Sequence, residues 1–233
     1  MEQQTLTTAP SATKVREVLV VVLALTSGAT DAIGFLALGS AFTSVMTGNM
    51  VLFGIGVAHG DTAILALTAT AIGSFVLGAA VGARVAGNPE AGDPVWPAAV
   101  SRALMLELGL FTVFAAAWWA LGSSPPEGAF LPLLALNAVA LGLQSSAIQR
   151  FGVSGLSTTY LTGTLTSVMI RLVSGHGFRA VGHSLAILLG LVAGAALGAA
   201  LVTGAPGLVP VVQLGTLTAV ILGRRAFRHV LAT

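Results

Sequence analysis

The residues of this chain with the greatest capacity for chemistry fall in two similar segments. The first holds Asp31, then Thr47, Gly48 and Asn49 within Ser44-Val-Met-Thr-Gly-Asn-Met50. The second holds Gln144 and Ser146, then Thr162, Gly163 and Thr164 within Thr159-Tyr-Leu-Thr-Gly-Thr-Leu165. The two Thr-Gly pairs are 115 residues apart, close to half of the 233-residue chain. Each Thr-Gly-Asn/Thr reads as a polar turn between a long apolar helix and a short one. The start of such a short helix carries unpaired backbone N–H groups and the positive end of the helix dipole, so it suits an anion or a carbonyl oxygen. Thr47, Asn49, Thr162 and Thr164 offer side-chain partners, and the same side chains can cap their own helices. Gly48 and Gly163 are read as allowing a tight turn and a close backbone approach.

Asp31 lies within an apolar run, where a carboxyl group is costly and is a functional candidate by default. Ser27, Asp31 and Gly34 stand at i, i+4 and i+7 and share one helix face. Their counterparts 115 residues on are Gly142, Ser146 and Gln149, on the helix that carries Gln144. Asp31 can accept bonds from a neighbouring turn or take part in proton or cation coupling. Glu107 is a second coupling candidate, with Arg102 as a partner at the poor spacing of i,i+5. Asn137 lies on the same helix as Gln144. Trp118 and Trp119 are expected to anchor the end of their helix at a membrane interface.

The elements that must position these residues follow from composition. The chain is 55% hydrophobic and 8% charged, with a mean hydropathy of +0.95, where soluble domains are about 25% charged. This predicts one integral membrane domain and contact with the lipid bilayer. The net charge of +2 comes from few groups, so no nucleic-acid partner is expected. With no cysteine, disulfides and thiolate metal sites are excluded. No metal or cofactor motif is present, and none is expected to bind.

Six runs are long enough to span a bilayer as helices: Val18–Leu38, Thr62–Ala86, Pro97–Leu121, Phe130–Gln149, Val181–Val202 and Leu208–Leu222. Met46–Ala58 and Leu161–Val173 are too short. If both dip into the membrane and return, all ten Lys and Arg residues fall on one side, as cytoplasmic loops require. The prediction is therefore an all-α membrane protein of six transmembrane helices and two short re-entrant half-helices in the cytoplasmic (plasma) membrane. Both termini would be cytoplasmic. Gly78-Ala-Ala-Val-Gly82 and Gly194-Ala-Ala-Leu-Gly198 extend the repeat, and their small-xxx-small spacing suits close helix contact. Three crossings per unit turn the second unit upside down, giving a 3+3 inverted-topology repeat. Residues 1–13 would be a disordered tail, 14–121 the first repeat with its turn at 39–58, and 122–233 the second with its turn at 151–173.

An enzyme is not expected. Gly152-Val-Ser154-Gly155 matches the Gly-x-Ser-Gly of rhomboid-type intramembrane proteases, but such a serine needs a histidine base. His183 is the one histidine close to a later span, at its start, and Gly190 does not continue the rhomboid pattern. Ser27-Gly-Ala-Thr-Asp31-Ala-Ile-Gly-Phe-Leu-Ala-Leu-Gly39, with Phe42 and Met46-Thr-Gly-Asn-Met50, resembles the signature of the YoaK family of uncharacterised bacterial membrane proteins. That resemblance implies a protein of about six helices and supplies no substrate. The reading from the residues is a permease or channel for a small polar solute, with a homo-oligomer as one assembly it could form. The solute would bind between the two turns at mid-membrane, with Asp31, Thr47, Gly48, Asn49, Gln144, Ser146, Thr162, Gly163 and Thr164 lining the site. The alternative is a non-transporting membrane scaffold or regulator.

Overall fold

The computed structural model describes residues 11–90, 92–151 and 161–231. It is all helical, with no strand among the described residues. The long helices are α1 (Ala12–Ala37), α3 (Thr62–Ala86), α4 (Ala98–Ala120), α5 (Phe130–Gln149), α7 (Phe178–Gly204) and α8 (Val209–Ala226). The short ones are α2 (Met46–His59), α6 (Leu161–Val173) and a terminal turn, α9 (Arg228–Leu231). Six are long and apolar enough to cross a membrane. The apolar runs gave these elements to within a few residues. The largest difference is at the start of α1, which begins at Ala12, inside the segment 1–13 expected to be a tail. Ser11 accounts for this: its hydroxyl accepts from the backbone N–H of Lys14 and caps the helix.

Glycines set the packing. Lipid tails are as apolar as leucine, so helices in a bilayer gain by close van der Waals contact rather than by leaving water. On α7, Gly190, Gly194 and Gly198 lie against the main chain of Val21, Leu25 and Ala29 on α1, and Gly28 answers from α1 against Leu191 and Ala195. On α3, Gly78 and Gly82 lie against Val139 and Leu143 on α5, and Gly142 answers from α5 against Phe75 and Ala79. Residue numbers rise together in both crossings, so α1 runs parallel to α7 and α3 parallel to α5. These two pairs are the most extensive helix contacts in the molecule.

One end of the molecule gathers the start of α1, the α3–α4 connection and the ends of α5 and α8. Arg150, just beyond α5, is buried and reaches Asp93 at 2.9 Å and Glu90 at 3.7 Å in the α3–α4 connection. Arg16 of α1 stacks over Phe151, 5.5 Å from the ring centre. The N–H of Trp96 donates to the carbonyl of Leu231. At the other end, Trp118 and Trp119 donate to the carbonyls of Pro206 and Gly207, each at 2.8 Å. Trp119 is exposed, as an interface anchor would be, but Trp118 is a core residue. These contacts make α1, α4 and α7 point one way and α3, α5 and α8 the other.

Helices α1 and α5 are the most buried, α3 and α7 the least. The centre is formed by α1 and α5, with α4 packed on α5, α8 packed on α1, and α4 and α8 against each other. Two apolar clusters fill it. One, around Leu23, Leu104, Phe111, Leu141 and Leu217, lies toward the Arg150 end. The other, around Ile33, Phe114, Trp118 and Leu134, lies toward the tryptophan end. The short helices sit outside, α2 against α3 and α6 against α7.

The glycine crossings can be tested against glycines in open positions. A Cβ at Gly78 or Gly194 would run into the backbone carbonyl of Val139 or Leu25, so Gly78→Val and Gly194→Val are expected to lower the melting temperature in detergent or abolish monodisperse protein. Gly73 and Gly109 have nothing within 4 Å of such a Cβ. Gly73→Ala and Gly109→Ala should leave stability unchanged or raise it by up to about 1 kcal/mol through helix propensity.

Candidate functional site

Asp31 acts as a clamp on the chain that follows it. Its Oδ1 accepts from the backbone N–H of Thr43 (2.7 Å), the backbone N–H of Ser44 (2.7 Å) and the hydroxyl of Thr43 (3.0 Å). Its Oδ2 accepts from the hydroxyl of Ser44 at 2.6 Å. A carboxylate has no donor, so four donors converging on it form a matched set. Asn49 adds a second clamp: its Oδ1 accepts from the N–H of Phe42 at 2.9 Å and its Nδ2 donates to the carbonyl of Phe42 at 2.7 Å. Four polar backbone groups of the segment between α1 and α2, at Phe42, Thr43 and Ser44, are thus taken up by two buried side chains, as non-helical backbone away from water requires.

The tight turn lies ahead of the Thr-Gly-Asn motif. Gly39 (φ +96°) and Ser40 (φ +66°) take the left-handed conformations. Gly48 is helical, and Thr47-Gly48-Asn49 forms the first turn of α2. Gly48 is small for a different reason from the one the sequence suggested: a Cβ there would press on the Phe42 ring at 3.2 Å. Thr162, Gly163 and Thr164 likewise form the first turn of α6. Burial repeats between the motifs: Thr47 and Thr162 are exposed, Gly48 and Gly163 half-buried, and Asn49 and Thr164 buried.

The two motifs are not packed against each other. Helix α2 leans on α3 and α6 on α7, with no extensive α2–α6 contact among the described residues. Between the halves lies another set of side chains. Gln144 on α5 donates through Nε2 to the hydroxyl of Ser27 at 2.7 Å and to the carbonyl of Leu23 at 3.3 Å, both on α1. Gln213 on α8 donates through Nε2 to Thr30 of α1 and to Oδ1 of Asn137 of α5, each at 3.1 Å. The hydroxyls of Thr26 and Thr216 meet at 2.7 Å. Ser27, Thr30, Asn137, Gln144 and Gln213 are all fully buried. Asn137 and Gln213 sit where the two apolar clusters join. Ser146 turns away from this row and donates to the carbonyl of Ala79 on α3 at 2.7 Å.

Glu107 is fully buried on α4, and neither carboxyl oxygen has a partner among the described residues. Arg102, weighed as a partner at the poor spacing of i,i+5, does not pair with it and stands on the exposed face of α4. Asn137 Nδ2 and Gln213 Oε1 are also buried without a partner. The proposed protease serine, Ser154, lies outside the described residues. His183 is half-buried near the start of α7. No group of three or more His, Cys, Asp or Glu side chains suited to a metal occurs among the described residues.

Thr30, Thr43, Ser44 and Gln213 were not singled out from the sequence. Gln213 had a usable signal as the lone amide in the last apolar run. Thr43 and Ser44 gave none, because their importance comes from lying beside Asp31 after the chain reverses.

Six apolar helices around a buried polar row define a multi-spanning helical membrane protein. Residues 19–223 match the family described as protein of unknown function (DUF1275), and the chain belongs to that family. It is 36% identical over 166 residues to the UPF0700 transmembrane protein YoaK of Bacillus subtilis (strain 168), covering 70% of this chain and 69% of the relative. No solved structure matches it.

The two clamps predict a local loss. Asp31→Asn leaves one carbonyl oxygen in place of two acceptors and turns an amide N–H₂ toward donors. Each buried group left unpaired costs about 1–3 kcal/mol. Lower thermal stability in detergent and faster hydrogen exchange at the amides of Thr43 and Ser44 are expected. Asn49→Ala should speed exchange at Phe42. Unchanged exchange in both variants would remove the clamp role.

Proposed function

We propose that this chain is a permease or channel for a small polar solute, built as a 3+3 inverted repeat, with its path along the α1–α5–α8 interface. The observation that carries this is the buried amide–hydroxyl row between the halves, with an amide N–H and a carbonyl left unmatched at Asn137 and Gln213. Helix contact alone is served by glycines and alanines, and each unmatched polar group in a dry interior costs about 1–3 kcal/mol. Such groups are retained where something passes that can bond to them. The helix directions support the inversion, since α1, α3 and α4 are opposed by α5, α7 and α8 in order.

Re-entry of α2 is supported by depth. Asp31 lies six residues, or about 9 Å, before the end of α1. The chain must run back along α1 for Thr43 and Ser44 to reach it, and α2 then climbs from that level to the start of α3. With α1 and α3 opposed, α2 makes no crossing; the same holds for α6 between α5 and α7. Lys14, Arg16, Arg84, Arg102, Arg150, Arg179 and the α8 arginines then share one side, which supports cytoplasmic termini in the plasma membrane.

In this reading Gln144 is a path residue and Asp31 and Asn49 hold the first loop. Thr47 and Thr162 stand at the outer rim of their half-helices, and no covalent chemistry is involved. The full burial of the row favours one other reading, a non-transporting scaffold that uses its polar groups as glue between helices. Flux separates the two. In proteoliposomes, stopped-flow light scattering with glycerol, urea and small amides should show faster equilibration than protein-free vesicles. A Gln144→Leu, Gln213→Leu double variant should abolish the difference. Protein-free rates for every solute would favour the scaffold.

Topology is tested separately, in a background with no native cysteine. His59, Asn88 and Glu127 are all exposed. Cysteines at His59 and Glu127 should react with an impermeant thiol reagent on intact cells, and one at Asn88 should not. Labelling at Asn88 alone would reject the orientation.

A further inference from the structure

Glu107 stands apart from every other acidic group in the described chain. Asp31 has four donors, Asp61 caps α3 through the N–H groups of Ala63 and Ile64, and Asp93 holds Arg150. Glu107 has no partner on either oxygen and is fully buried. It lies on the inward stripe of α4 with Leu104, Phe111 and Phe114, the face that packs on α5 and α8. Those two helices carry the unmatched amide N–H of Asn137 and carbonyl of Gln213.

We propose that Glu107 is a proton-binding site of this membrane domain, loaded and unloaded as the α4–α5–α8 interface opens to one side or the other. A carboxylate at this depth with no partner is costly and needs a proton or a cation to compensate it. The surroundings favour the proton. A bound metal or alkali ion needs several oxygen ligands, whereas no polar group among the described residues bonds to Glu107 and its helical neighbours include Leu104, Leu108 and Phe111. A proton needs only the carboxyl itself, which on loading becomes a neutral acid with one O–H donor. No fixed charge competes for it. Arg84 on α3, Arg150 beyond α5 and Arg224 and Arg225 on α8 lie at the helix ends, and Arg102 on α4 itself is exposed. The middle stretches of α3, α5 and α8, the helices packed on α4, carry no titratable group.

Proton binding stands on this geometry alone; coupling it to flux rests on the permease reading. Two measurements keep them apart. In the first, infrared spectra of the protein in nanodiscs are titrated with pH in sodium-free and sodium-containing buffer. A carboxylic C=O band that titrates in the wild type should vanish in Glu107→Gln and persist, shifted, in Glu107→Asp, and sodium at constant pH should leave it unchanged. Persistence of the wild-type band in Glu107→Gln, or its displacement by sodium, overturns the proposal. In the second, proteoliposomes with an internal pH dye receive an imposed membrane potential. Proton entry should fall to the protein-free level in Glu107→Gln and be retained in Glu107→Asp; entry unchanged in Glu107→Gln overturns the transport role. A structural carboxyl is separated by melting temperature. Glu107→Leu removes no hydrogen bond, so the fold should be as stable as the wild type or more so, and marked destabilisation would overturn the proposal. A titrating band without solute flux in the stopped-flow light-scattering assay leaves the proton site standing and removes the permease reading; solute flux with no titrating band does the reverse.

Discussion

The structure depends on main-chain contact between helices at two crossings, α1 with α7 and α3 with α5. In a bilayer the partners gain nothing by hiding apolar surface from lipid, so association must come from distance: helices that touch backbone to backbone gain dispersion that leucine-padded ones lose. Gly28, Gly78, Gly142, Gly194 and Gly198 allow this approach because they lack a Cβ. Once each outer helix is seated on its inner partner, α1 and α5 are left with one free side each. Those sides face α4, α8 and each other, and there the polar residues gather. The polar row is therefore a consequence of the glycine crossings. Widening them would separate Ser27 from Gln144 and Thr30 from Gln213, bonds that leave only tenths of an ångström to spare.

Polar chemistry in such a frame divides into saturated and unsaturated groups. The Asp31 clamp is saturated: four donors, no spare acceptor demand, and an irregular segment held in place. The Asn137–Gln213 pair and Glu107 are not. Inside a soluble protein unmatched buried atoms are rare, because each costs as much as several apolar contacts return. Glu107 on α4, Asn137 on α5 and Gln213 on α8 thus leave incomplete bonding among the buried side chains of these three helices.

How far the sequence revealed this follows from the range of each signal. Helix existence and extent came from apolar runs bounded by Gly, Pro and charge, so Thr62–Ala86, Phe130–Gln149 and Leu161–Val173 agree with the structure to the residue. The close-packed glycines were legible because i, i+4 spacing is itself a helical contact face. Asp31 was legible as a misplaced charge, but its partners were not: Thr43 and Ser44 come beside it only through the reversal at Gly39 and Ser40. The same limit explains why Thr47-Gly48-Asn49 was read as the turn when it is the first helical turn after it. Trp118 was misjudged for a related reason. Sequence places both tryptophans at a helix end, and only the Pro206–Leu208 turn packed beside them separates the buried one from the exposed one. Gln213 was visible as the lone amide of its run, but its partners were not, since they depend on α1 and α5 meeting α8.

The two halves share their glycine spacing and the placement of their short helices, but not their chemistry. Gly78 and Gly82 answer Gly194 and Gly198, and α2 on α3 answers α6 on α7. Where the first half has Asp31, however, the second has Ser146, whose hydroxyl is spent on the carbonyl of Ala79. Where the first has Asn49, which both donates to and accepts from the main chain of Phe42, the second has Thr164. A hydroxyl offers one donor and cannot reproduce the paired bond of an amide. A carboxylate receiving two backbone N–H groups and two hydroxyls holds a segment more firmly than a serine facing another helix. The first loop is thus tied to its own span by charge-assisted bonds that the second half does not repeat at Ser146.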